Sequence, residues 1–183
     1  PEKFAANIVA NAKKLGLKSQ VLKEKELKRA RMGALLSVSD GSSSPARLVI
    51  LDHNPGKAGK PLVLVGKGVT FDSGGLNLKL GASLNGMKAD MSGAAVVAAT
   101  MLTVARLKTK RRVIGILPIV ENMVNGQATR PGDIVKSVTG KTVEIGNTDA
   151  EGRLILIDAM AYAAKRFKPE YMIDLATLTG ACM

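Results

Sequence analysis

The sequence predicts an α/β fold, a β-sheet covered by helices. Short runs of β-type apolar residues alternate along the chain with longer segments of helical periodicity. Apolar residues make up 46% of the chain, yet aromatics are only 3% and Trp is absent. The core must therefore come from Ala, Val, Leu, Ile and Met, the palette of a layered α/β protein more than of a β-sandwich. At 183 residues the chain can bury one sizeable core, so a single domain is expected.

Each element follows in order. Phe4, Ala5, Ile8, Val9 and Ala12 recur at helical spacing, and Gly16 stands where a helix would stop. Short β-type runs follow at 20–22 and 47–51, the second ending in the turn-rich HNPGKAGKP. His53 is expected in that loop. PLVLVGKG at 61–68 reads as a fully apolar strand running out into a loop, and the small apolar residues between Asp90 and Leu107 as a buried helix. RRVIGILPIV predicts another buried strand, and shorter strands at 133–138 and 142–145 flank a turn at Gly140. An amphipathic helix over 152–167 leads into a last strand, YMIDLATL. No repeat, low-complexity tract or linker interrupts this series. The stop at ACM, directly after an apolar strand, is expected of a fragment of a longer protein.

No apolar run approaches the length of a membrane span, and the first residues lack the uninterrupted apolar stretch of a signal peptide. Cys182 is the sole cysteine, so there is no internal disulfide framework, and a cytoplasmic location is expected. The formal charge of +12 is concentrated in the first two thirds, for example at Lys23, Lys25, Lys28, Arg29 and Arg31 and again at Lys108, Lys110, Arg111 and Arg112. Solvated helix faces and loop ends account for such charge. No aromatic interleaving or nucleic-acid-binding signature accompanies it.

Chemistry is concentrated in three Gly-rich or acidic clusters near strand and helix ends, where open α/β sheets place their ligands. These are GKGVTFDSGGLNLK at 66–79, MKADMSG at 87–93 and NTDAEGRL at 147–154. Asp72 and Lys67 lie at the end of an apolar strand, and Asp90 is expected to open the buried helix. Asp149 and Glu151 straddle one residue before a helix, where extended backbone would send both to one side. Four carboxylates suggest an oxygen-rich site for a cation. Taken singly, each residue has an ordinary structural use. Asp90 and Asp149 suit helix caps, Asp72 a turn and Lys67 a strand end, while Lys79 suits the surface and Arg153 a first helical turn. Spacing alone does not bring the clusters together.

Several chemistries are excluded. VTGKT at 138–142 would need Gly at 135 to form a phosphate loop, and Val135 is there. His53 is the only histidine, so no HExxH zinc site exists. There is no GxSxG elbow, and Ser73 has no nearby candidate base.

In sequence order, VGKGVTFDSGG, MKADMSGAA, ENMVNGQATRPGD, NTDAEGRL and DLATLTGA resemble the successive signatures of the leucyl aminopeptidase (cytosol aminopeptidase) family. The resemblance runs from end to end of the chain. It implies a mixed, largely parallel β-sheet flanked by helices, as in the catalytic domain of two-metal aminopeptidases. On this likeness residues 1–183 are an incomplete catalytic domain, without the family's N-terminal domain and the C-terminal remainder of the catalytic domain.

The resemblance makes Lys67, Asp72, Asp90, Asp149 and Glu151 the ligands of two divalent ions, manganese or zinc, with Asp72 and Glu151 bridging. It makes Lys79 and Arg153 the catalytic basic residues and places Met87, Thr177, Leu178 and Gly180 near the substrate. The implied reaction removes leucine-like residues from peptides with a free N-terminus, through a hydroxide bridging ions ~3.5–4 Å apart. Lysine binds metal only as the free amine, so Lys67 would be neutral, whereas a charged Lys79 would stabilise the oxyanion. Arg153 would hold a bicarbonate that shuttles the proton. The family's homohexamer is implied for the full-length protein.

Leu80 replaces the proline that commonly follows the catalytic lysine and Asn77 lies just before it, so the loop carrying Lys79 is expected to be less rigid. The segment alone is expected to be weak or inactive. The alternative is a DNA-binding or regulatory protein with a basic surface, whose affinity for duplex would fall steeply with salt.

Overall fold

The structure is a computed structural model that describes residues 1–179. Its elements are α1 (Glu2–Lys14), β1 (Lys18–Leu22), α2 (Glu24–Arg29), α3 (Gly33–Ser39), β2 (Arg47–His53), β3 (Leu62–Gly66) and β4 (Gly68–Asp72). There follow 3₁₀ turns at Gly81–Leu84 and Met87–Ala89, then α4 (Ser92–Arg106), β5 (Val113–Asn122), β6 (Ile134–Lys136), β7 (Thr142–Glu144), α5 (Glu151–Phe167) and β8 (Tyr171–Leu175). The strands form a mixed sheet in the order β1-β2-β5-β3-β8, with β4 also paired to β5, while β6 and β7 form a separate hairpin. The β3–β5, β3–β8 and β4–β5 pairs are parallel, whereas β1–β2 and β2–β5 are antiparallel. This is the α/β sheet that the sequence predicts, with the mixed, largely parallel strands that the resemblance implies.

Period-two alternation assigns the two faces. Leu48, Ile50, Val63, Val65, Ile114 and Ile116 pack against α2, α3 and α5, while Val49, Leu51, Leu64, Leu117 and Ile119 pack against α1 and α4. Both faces of the central strands are dry, which is why those strands read as unbroken apolar runs.

The expected loop after Gly66 is instead a second strand. β3 pairs with residues 113–116 of β5, and β4 joins the same edge at residues 119–122. The two strands are one path broken at Lys67, whose backbone N–H turns to the carbonyl of Leu175 (3.0 Å) while its carbonyl accepts from the N–H of Ala94 (2.8 Å). The break thus ties β8 and the first turn of α4 to a single residue. Gly93 permits it, because a Cβ there would lie 2.1 Å from the carbonyl oxygen of Leu175.

Two short helices lack the periodicity that would reveal them. In α2, Glu26 accepts from the backbone N–H of Lys23 (2.9 Å). α3 begins without a capping side chain of its own, and the buried Asp158 on α5 accepts from the N–H of Leu35 (2.9 Å) and of Val138 (2.7 Å). His53 also departs from expectation. It ends β2, is buried, and sets its Nε2 2.9 Å from the carbonyl of Thr109.

Candidate metal centre

The broken strand delivers Lys67 to the C-terminal end of the sheet, where β8 and the starts of α4 and α5 meet. Its Nζ lies 2.8 Å from Asp90 Oδ1, 2.7 Å from Glu151 Oε1 and 2.6 Å from the carbonyl of Thr177. Asp90 comes from the residue after the second 3₁₀ turn, two positions before α4, and Glu151 is the first residue of α5. Neither α4 nor α5 has a side-chain cap, so Asp90 and Asp149 are not used as caps. Asp149 sits in a turn in which Asn147 Oδ1 accepts from its N–H (2.8 Å). The extended backbone expected from Asp149 to Glu151 is absent, because that turn leads directly into helix.

A second lysine faces the other carboxylates. Lys79 Nζ lies 3.0 Å from Asp72 Oδ2 and 2.5 Å from Asp149 Oδ1. Asp72 ends β4, and its Oδ1 accepts from the N–H of Gly74 (3.0 Å) and from the side-chain amide of Asn122 (2.8 Å). Gly74 has φ +87°, and a Cβ there would sit 2.4 Å from the carbonyl oxygen of Asn77. Only glycine lets the loop fold back tightly enough to bring Lys79 over Asp72.

Asp72, Asp149 and Glu151 each offer a carboxylate oxygen within 4.8 Å of the others. Asp90 Oδ2 is buried without any hydrogen-bond partner, and Glu151 Oε1 and Asp149 Oδ1, though beside a lysine nitrogen, are not aligned for a hydrogen bond. Glu151 Oε1 and Asp149 Oδ1 already face an ammonium, but a buried oxygen such as Asp90 Oδ2 is costly to leave unpartnered unless a cation meets it. Oxygen donors plus one amine nitrogen suit a hard or borderline divalent ion, so the residues present fit the metal expected from the sequence. The cavity they line, about 490 Å³, is also bounded by Met87, Thr177 and Leu178.

A family model described as the cytosol aminopeptidase family, catalytic domain, matches residues 1–183. The chain belongs to this family. Among curated proteins it is similar to the probable cytosol aminopeptidases of Desulfovibrio desulfuricans and Nitrosomonas europaea. They are 53% and 52% identical over 184 residues, covering all of this chain and 37% of each relative. That of Herminiimonas arsenicoxydans is 54% identical over 173 residues, 94% of this chain and 34% of the relative. The chain thus spans little more than a third of the length of the cytosol aminopeptidases it matches.

In this family member the electrostatics are set first by burial and then by the lysine–carboxylate pairs. Burial pushes the Glu151 carboxyl up to about 7, with Asp72 and Asp90 adding to the rise and Lys67 opposing it. Partial burial pushes the Lys79 ammonium down, but its pairing with Asp149 and Asp72 outweighs this and leaves it above the ordinary lysine value. Lys79 therefore keeps its charge beside the carboxylates.

Nine of the residues singled out from the sequence line this one cavity: Lys67, Asp72, Lys79, Met87, Asp90, Asp149, Glu151, Thr177 and Leu178. Arg153 does not. It is exposed and borders a separate hollow of about 270 Å³ with Asn147 and Ala150. Two positions along a helix turn a side chain by roughly 200°, so inward Glu151 sends Arg153 outward. Gly180 lies outside the described residues.

Asn122 and Thr148 were missed. Asn122 sits within ENMVNGQATRPGD and Thr148 within NTDAEGRL, yet amide and hydroxyl side chains carry no charge signal to set them apart. Asn77 does the reverse of loosening its loop, since it exchanges hydrogen bonds with Thr148. Among the described residues no helix is long and apolar enough to cross a membrane.

Proposed function

We propose that the full-length protein carrying this chain is a metal-dependent aminopeptidase that removes leucine-like residues from the free N-terminus of peptides, in the cytoplasm and as a homohexamer. The observation that carries this is the convergence of Asp72, Asp149 and Glu151 within 4.8 Å, beside an Asp90 oxygen that has no partner. Lys67, Asp72, Asp90, Asp149 and Glu151 would hold two divalent ions, manganese or zinc. When bound, the ions supply Lewis-acid polarisation of the scissile carbonyl and a water that loses its proton near neutral pH.

The chain's own groups do the rest. Lys67 has to give up its proton to act as a ligand, because an ammonium has no lone pair to offer. Lys79, charged and held at the mouth of the same cavity, donates to the carbonyl oxygen of the substrate as negative charge grows there. Met87, Thr177 and Leu178, with Gly180 beyond the described residues, receive the first side chain. An apolar first residue fits the flexible thioether of Met87 and the Leu178 methyls. Arg153 would have to swing from its own hollow to hold a bicarbonate at the site, and that group would supply a base.

The test is release of arylamine from a leucyl anilide by the full-length protein, with manganese added and then chelated. Activity is expected to appear with metal and vanish with chelator, and Asp149→Asn is expected to lower turnover at least ~100-fold. Turnover indifferent to both would sink the proposal. Residues 1–183 alone are expected to be weak or inactive, and turnover comparable to that of the full-length protein would refute this last point.

A further inference from the structure

The two loops that carry Lys79 and Asp149 lie outside the sheet ladder and reach it at Asn122, the last residue of β5, whose carbonyl accepts from the N–H of Ser73 (3.0 Å). Besides the Lys79–Asp149 ion pair, residues 73–80 and 146–150 meet through the side chains of Asn77 and Thr148. The backbone N–H of Asn77 donates to Thr148 Oγ1 (2.8 Å), and the backbone N–H of Thr148 donates to Asn77 Oδ1 (2.8 Å). The single hydroxyl proton of Thr148 goes to the carbonyl of Gly74 (2.6 Å), the shorter of its two choices, the other being Asn77 Oδ1 at 3.0 Å. Asn122 closes the arrangement by donating both to the carbonyl of Thr148 (3.1 Å) and to Asp72 (2.8 Å). Thr148 and Gly74 are both buried, so the Gly74 carbonyl has little water to replace the hydroxyl if it is removed. A Cβ on Gly75 would sit 2.9 Å from Thr148 Oγ1, so the first loop is shaped to the hydroxyl.

We propose that Asn77 and Thr148 are positioning residues of the candidate site: their reciprocal hydrogen bonds hold the Lys79 ammonium between Asp72 and Asp149. Neither residue is among the cavity-lining side chains, and neither has to touch substrate. Each is one or two positions from a residue that does line it, Asp149 after Thr148 and Lys79 two beyond Asn77, so a shift of either loop displaces a charged group directly. Positioning of Lys79 is a property of the fold. Its effect on turnover rests on the aminopeptidase reading above.

The test uses the full-length protein and reads the two separately. The first readout is labelling of Lys79 by an amine-reactive ester, quantified by peptide mass spectrometry against an exposed lysine such as Lys25. Thr148→Val keeps the shape but loses the hydroxyl, and is expected to raise Lys79 labelling about tenfold. Thr148→Ser restores the hydroxyl and is expected to return labelling to within about twofold of the parent. Asn77 is exposed, so Asn77→Ala serves if Thr148→Val fails to fold, and labelling is expected to rise there too. Equal labelling in parent, Val and Ala variants overturns the proposal, as does a rise in Thr148→Ser equal to that in Thr148→Val.

The second readout is manganese binding by calorimetry and leucyl anilide turnover. For groups that orient metal ligands a loss of ~10–100-fold is expected in Thr148→Val, with recovery in Thr148→Ser. If labelling follows the prediction while the parent neither binds manganese nor turns over, the positioning stands and the aminopeptidase reading falls.

Discussion

The two lysines of the candidate site sit about equally close to their carboxylates but are placed by different means. Lys67 is 3% exposed and is positioned by backbone: its N–H and C=O are claimed by β8 and α4, and its partners Asp90 and Glu151 precede or begin helices. Lys79 is 16% exposed and rides on a loop fixed by side-chain hydrogen bonds. One half of the site is therefore part of the fold's framework, and the other is an attachment to it. Substitutions in the first half should register in stability, and those in the second mainly in geometry and chemistry.

The largest expected contrast comes from removing each charge in the metal-free protein near pH 8. Lys67→Met leaves Asp90 and Glu151 buried without their cation, and a loss of about 3 kcal/mol is expected by urea unfolding. Lys79→Met exposes its carboxylates to a cavity that water can enter, so about 1 kcal/mol or less is expected. Equal losses would erase the distinction between the halves.

A smaller effect sharpens it, because the framework half depends on where α5 begins and Asp158 sets how α5 meets α3 and residue 138. Asp158→Asn keeps one acceptor where two are used, and about 1–3 kcal/mol is expected to be lost, with little change in Lys79 labelling.

The smallest effect is a slope with pH. Burial raises the Asp158 carboxyl above its ordinary value, against the pull of the Val138, Leu35 and Ala34 amides. The folded state then binds this proton more tightly than the unfolded state. Its contribution is present below the ordinary carboxylate pKa and is lost as pH rises through the raised one. The urea midpoint should decline less across that window in Asp158→Asn than in the parent. An unchanged decline would place the titration elsewhere.

What the sequence made legible follows the same division. The apolar strands at 62–66 and 113–122 and the long helices at 92–106 and 151–167 declared themselves by period and length. The charged residues of the site lay in three visible clusters, but each alone had an ordinary structural use, and only the family resemblance joined them into one site. α3 could not be read, since its cap comes from a residue 123 positions away. Strand β4 was hidden because GVTFD is short and set between glycines, and its pairing is broken by a bulge between Val69 and Asp72. Asn77 was misjudged for a related reason: its partner Thr148 lies 71 residues off, and nothing local signals the exchange.

The interruption at Lys67 has a bearing on the order of events during folding. The residue takes its place only when the third strand, the start of the fourth helix and the last strand have all arrived, and these lie near positions 66, 94 and 175 of the chain. Closing contacts that distant is slow, and it comes after local helices have formed. Partly folded forms of the chain would hold the carboxylates apart, so the candidate site would stay unassembled until β8 docks.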